Sequence, residues 1–160
     1  MATSTKKALK SVSQFGGTPY GNKAALRFNV TTNASGVWAD GSLATAAATT
    51  DELIVGVLPA GMLLIDALAI VSDAFAASQT VKVGFRYVDG VDSTAVPQDA
   101  DYFFAALALS AQGRTRANNL AVAPVVLPKD AYLVLDVDGA AMSVAGVLDI
   151  FVEGVIGGAP

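Results

Sequence analysis

Cysteine and histidine are both absent from the 160 residues, and only 15% of positions carry a charge. Without thiols or imidazoles there is no disulfide scaffold, thiol nucleophile, zinc finger or histidine-bound haem, and no Ser-His-Asp or Cys-His site. The Gly-x-Ser-x-Gly elbow and the Gly-rich phosphate loop are missing as well. These gaps imply a protein that is not an enzyme and carries no cofactor. Long apolar runs are also lacking, although the mean hydropathy is +0.52. The longest, Leu53 to Ile65, is broken by Leu58-Pro59-Ala60-Gly61 and closed by Asp66. It falls short of the roughly 20 residues that cross a bilayer. No apolar stretch follows the first lysines, so neither a membrane span nor a secretory signal peptide is expected.

What the chain has in quantity is small and apolar. Hydrophobic residues make up 53% of it, and Ala (30) with Gly (15) fills 45 of the 160 positions. A chain of this size buries roughly 70% of its unfolded surface, so a core can form without metal or disulfide. So much alanine cannot all be core, whereas the surface of a soluble monomer usually holds about 25–35% charged residues. Two explanations stay open: a weakly charged, Ala-rich surface, or faces buried against other subunits.

The net charge of −4 hides a division. Residues 1–39 hold Lys6, Lys7, Lys10, Lys23 and Arg27 and no acid, giving +5; residues 40–160 hold five basic and 14 acidic residues, giving −9. Five cations spread over that length make no dense nucleic-acid footprint. A basic arm that grips an acidic neighbour, such as another copy of its own body, fits the same numbers. Lys6, Lys7 and Lys10 are the candidate contact residues of that arm.

The order of apolar residues sets out the rest. Residues 1–23 read as an N-terminal arm rich in Ser, Thr and Lys that turns through Gly16-Gly17-Thr18-Pro19-Tyr20-Gly21. A short helix from Thr5 to Phe15 is possible there but too poorly apolar to stand alone. Residues 24–160 form the body, where the period becomes two. Strands are expected where Leu26, Phe28 and Val30 alternate with polar residues, and over Asp51–Leu58 with Leu53, Val55 and Val57 on one face. Pro59 fits position i+1 of a tight turn, with Gly61 at i+3. Met62–Ser72 reads as a strand buried on both faces. Val81, Val83, Phe85 and Tyr87 oppose Lys82 and Arg86.

Residues 89–101 form an acidic loop, Tyr102–Ala111 is ambiguous, and Gly113–Asn119 is a polar loop. Leu120–Leu127 is extended, limited by Pro124 to an edge. Ala131–Val137 and Ser143–Val155 complete about eight strands without helical crossovers. That pattern makes an all-β sandwich or barrel.

Three constellations carry possible chemistry. Asp136-x-Asp138-Gly139 begins like a calcium loop, but Ala140 and Val147 stand where later ligands belong, so a hairpin turn is the reading. Asp89, Asp92, Asp99 and Asp101 could gather round a cation or simply keep a loop solvated. Trp38, Tyr20 and Tyr102 could form a sugar-stacking platform or serve as core.

The stretches TTDELIVGVLPAGMLLIDALAIVSDAF, KVGFRYVDGVDSTAVPQDADYF and LPKDAYLVLDVDG, with a closing apolar strand, resemble small head proteins of tailed bacteriophages, the decoration or cement class. The resemblance covers about two thirds of the chain, Asp51 to Val155. It implies a jelly-roll-like β-sandwich on the phage head surface that binds the major capsid protein and its own copies, as a trimer, and stabilises the shell. A tail or fibre component and a carbohydrate-binding module on the particle are the alternatives.

Overall fold

A computed structural model describes residues 2–7 and 23–156, and among these it contains ten β-strands and no helix. In chain order they are β1 (Thr3–Thr5), β2 (Lys23–Thr32), β3 (Glu52–Leu58), β4 (Met62–Asp73) and β5 (Thr80–Tyr87). There follow β6 (Asp99–Ala108), β7 (Gly113–Arg116), β8 (Val125–Val126), β9 (Ala131–Asp138) and β10 (Gly146–Ile156). One sheet has the order β1-β3-β9-β5-β6, the other β2-β10-β4-β7 with β8 added to β4. From β2 to β10, leaving out the two-residue β8, the chain visits the sheets in the order of an eight-stranded jelly roll. The expected fold class is the one observed, with β1 and β8 as additions.

The core lies between the sheets. Leu26, Phe28 and Val30 of β2 and Leu148, Ile150 and Val152 of β10 face Val81, Val83 and Phe85 of β5 and Leu133 and Leu135 of β9. Alternation on these strands is uninterrupted, which is why period-two reading finds them.

Departures from alternation have one cause, the β-bulge, which adds a residue and swaps the faces beyond it. In β3 the ladder to β9 slips between Ile54 and Gly56, so the core receives Leu53, Val55 and then Leu58, and Val57 turns half-outward. In β4 the ladder to β10 passes from Asp66 to Leu64, leaving Ile65 unpaired and exposed. Met62 and Leu64 face inward before the slip, Ala67, Ala69 and Val71 after it. The strand therefore has one buried and one half-exposed face; its two inward parities mimic burial on both.

Other boundaries also move. The tight turn closes from Met62 N–H to the Pro59 carbonyl at 3.3 Å, which puts Pro59 at position i and Gly61, with φ +76°, at i+2. A positive φ at that position is one only glycine adopts without strain. Gly113–Arg116 is the paired edge strand β7, not a loop; all four residues are exposed, so no apolar period announces it. Within Leu120–Leu127 only Val125 and Val126 pair with a strand. Tyr102–Ala111 is β-structure to Ala108, and Asp99 and Asp101 belong to that strand and not to the preceding loop. Of the expected arm helix, Thr5 lies in β1 and residues 8–15 fall outside the described residues.

Candidate interaction surface

The N-terminal residues meet the sheet at one edge. β1 runs parallel to β3, pairing Thr3 with Glu52 and Thr5 with Ile54. Asp51 accepts hydrogen bonds from the Ala2 N–H at 2.8 Å and the Ala48 N–H at 2.9 Å. Those two donors hold its carboxyl below the usual carboxylate range. Lys6 lies 3.9 Å from Asp40, and Lys7 donates to the Ala39 carbonyl at 3.4 Å. Lys10 lies outside the described residues.

Two more cations of the basic segment are paired within the chain. Lys23 meets Glu153 at 2.7 Å, and Arg27 meets Asp149 at 2.9 Å. Register explains both contacts, since β2 and β10 align Arg27 with Phe151 and Lys23 with Val155, placing Asp149 and Glu153 two pairs along on the same face. The sequence's division of charge is thus largely closed within the fold at this edge.

On the outward face of the β1-β3-β9-β5-β6 sheet, charge is less balanced. Arg86 donates to Glu52 at 2.5 Å, yet burial still raises the Glu52 carboxyl above its ordinary value. Burial likewise raises Asp136, outweighing the attraction of Lys82 and Arg86.

The loop between β5 and β6 and the loop from β7 to β9 meet at one end of the sandwich. Tyr87 OH donates to the Val96 carbonyl at 2.6 Å, and Tyr102 OH to the Ala123 carbonyl at 2.9 Å. Lys129 joins the two loops, meeting Asp89 at 2.7 Å and lying 4.6 Å over the Tyr87 ring. Asp92 spends its carboxylate on the loop's own Ser93 and Gln98 N–H groups. Between the loops opens a cavity of about 310 Å³ floored by Phe85, Tyr102, Val96, Pro97, Val122 and Val125, with Asp99 at its rim. Gly84 makes this architecture possible: β6 crosses its outer face at Asp99 and Ala100, in space a Cβ would fill. Burial, then the neighbouring Asp101, raises the Asp99 carboxyl.

Among the described residues no group of acids could hold a metal ion. Asp89, Asp92, Asp99 and Asp101 engage Lys129, loop amides or each other instead of converging on one point. Asp138 ends β9, and Gly139, at φ +67°, turns the chain towards β10 of the other sheet, so the expected hairpin is not formed. Trp38 and Tyr102 are buried, near opposite edges of the sandwich, and build no stacking platform; Tyr20 lies outside the described residues. What sequence reading missed was the cavity and its apolar rim. The runs AVPQDADYF and AVAPVV supply both, but their convergence depends on the pairing of strands far apart in the chain.

No protein-family model matches the sequence, and no curated protein resembles it significantly. Solved structures do. A chain from the capsid of Ralstonia phage GP4 is similar at a TM-score of 0.63 and 17% identity, over 99% of this chain and all of that one. A chain of the cyanophage Pam1 capsid asymmetric unit is similar at a TM-score of 0.54 and 14% identity, over 94% of this chain and 99% of that one. A chain of the Helicobacter pylori bacteriophage KHP30 capsid, at a TM-score of 0.46 and 14% identity, covers 84% of this chain and 94% of that one and is too remote to support a shared fold. Over nearly its whole length, the chain has a fold found in chains of two phage capsid structures.

Proposed function

We propose that this chain is a structural, non-catalytic protein of a phage head, a decoration or cement protein held on the capsid surface. The observation that carries the reading is the end-to-end similarity of fold to a chain in the Ralstonia phage GP4 capsid. A match to part of a larger protein would speak only for a shared module; here both chains are spanned. The chemistry agrees, because a chain without cysteine or histidine that offers weakly charged faces suits repeated contact better than turnover. Each copy bridges neighbouring subunits of the major capsid protein and lowers the free energy of the assembled shell by mass action. The copies associate as a trimer, a closed arrangement in which one patch can serve every subunit.

Residues 1–23 act as an arm on the body formed by 24–160, with Lys6, Lys7 and Lys10 reaching the shell or a neighbouring copy. Electron microscopy of the source particle tests the location: density on the head lattice is expected, and density confined to the tail overturns it. Charge reversal at Lys6, Lys7 and Lys10 tests the arm. Occupancy on shells should fall, and undiminished occupancy removes these lysines from the mechanism. Light scattering tests the trimer, which a monomer at micromolar concentration would refute.

A further inference from the structure

Six large hydrophobic side chains are exposed among the described residues, and four of them, Val88, Val91, Leu120 and Val126, lie in the two segments, β5 to β6 and β7 to β9, that frame the cavity. Leu120 is 96% exposed, Val91 62% and Val126 53%. Val88 begins the loop after β5, and Ile65, extruded by the β4 bulge, follows Leu63 and Leu64, which pair with β8. Exposed apolar side chains on both segments that frame an apolar cavity differ from scattered surface apolar residues, which are ordinary.

The same end carries negative charge that the described chain leaves open. Asp92, Asp99 and Asp101 form no ion pair with any described lysine or arginine. Lys129, the nearby cation at this end, is committed to Asp89 and to the Val91 carbonyl. At the β1–β2 edge, by contrast, Lys6, Lys23 and Arg27 each meet an acid of the same copy. An apolar cavity beneath unpaired carboxylates favours an apolar side chain flanked by a cation, since each part satisfies what the other leaves.

We propose that this end docks a segment of another virion protein that inserts an apolar side chain into the cavity and sets a lysine or arginine against Asp99 and Asp101. The inference rests on the capsid reading and deepens it by assigning the face that touches the shell. Leu120 and Val91 seal the rim of the contact, and Phe85 and Tyr102 form its floor. A cation beside Asp99 favours the ionised carboxylate that burial and Asp101 disfavour. Attachment therefore weakens as the pH falls and Asp99 takes up a proton.

Two measurements on the full chain test this. In the first, Leu120→p-benzoylphenylalanine protein is assembled onto particles, irradiated, and its adducts are sequenced. The expected adduct lies in a second virion protein, within a few residues of a lysine or arginine next to an apolar residue. Adducts only with another copy of this chain, only with its own residues 8–22, or none from an occupied particle overturn the proposal. In the second, Asp99→Asn/Asp101→Asn protein is titrated onto shells lacking this chain. Affinity should fall about tenfold and lose much of its salt dependence. Unchanged binding by a folded variant overturns the docking face and leaves the capsid reading intact. Wild-type protein that never binds shells refutes the capsid reading itself, and the docking face with it.

Discussion

The β1–β2 edge and the cavity end handle charge in opposite ways. At the edge, Lys6, Lys23 and Arg27 pair with Asp40, Glu153 and Asp149 of the same copy. At the cavity end, Asp92, Asp99 and Asp101 have no cation partner among the described residues, and exposed valine and leucine stand on the adjoining segments. An edge that satisfies itself gains little from a partner. An end that leaves charge and apolar surface open gains from any partner that supplies both missing parts. The contrast also shows that net charge along a sequence is a poor guide to net charge on a surface: Lys6, Lys23 and Arg27 of the basic leading segment each meet an acid from the rest of the chain.

The largest expected effect comes from removing the floor of the cavity. Phe85 is buried and packs edge-on to Tyr87 at 5.8 Å and Tyr102 at 5.4 Å between ring centroids. Phe85→Ala should cost about 3–5 kcal/mol in urea unfolding. A loss below about 1 kcal/mol would mean that the cavity end is loose surface and not an extension of the core.

Next come two adjacent carboxylates. Asp51 accepts two backbone N–H bonds that tie down β1, so Asp51→Asn should destabilise by about 1–2 kcal/mol. Glu52 is raised by burial in spite of Arg86, so its ionised form is held at a cost. Glu52→Gln should therefore change stability by less than about 1 kcal/mol at neutral pH. Equal losses at both positions would erase the distinction between a stabilised and a strained carboxylate.

The pH dependence follows from the same groups. Glu52, Asp99 and Asp136 titrate above their ordinary values in the folded chain, so the folded state takes up protons first and stability rises as pH falls from neutral towards about 4. Asp51 is depressed; its contribution is full above its unfolded value near 4 and is lost as pH falls through the lower folded value. The urea midpoint should thus pass through a maximum in mild acid, and Asp136→Asn should flatten the rising limb. A midpoint that falls steadily from pH 7 contradicts the raised carboxylates.

The smallest effects belong to the exposed ion pairs. Lys6→Ala and Arg27→Ala should each shift stability by less than about 1 kcal/mol, and that shift should shrink as salt is added. A larger loss at either would show that the edge relies on its ion pairs more than exposed pairs normally allow.

Legibility in the sequence tracked locality. Val81, Val83, Phe85 and Tyr87 announce β5 because alternation is a property of neighbouring residues. The bulges at Val55 and Ile65 escaped notice, since an extra residue is visible only against a partner strand. β7 escaped because Gly113–Arg116 buries nothing. At the candidate site the acids were evident, but not that Lys129 takes Asp89 alone among them, nor that Val122 and Val125 come to line the same space as Phe85. Arg27 and Asp149, 122 positions apart, are joined by a register no local rule supplies.

The pairing of β2 with β10 has a consequence for biosynthesis. Lys23 lies opposite Val155, so the second strand of the chain finds its hydrogen-bonding neighbour only when the last one has been made. The sheet of β2, β10, β4 and β7 cannot close until β10 has been made, and until then β2 lacks its ladder partner. Such non-local closure places folding towards the slow, millisecond-to-second end of the range for single domains. During that interval the nascent Leu26-x-Phe28-x-Val30 face is the segment most in need of a chaperone.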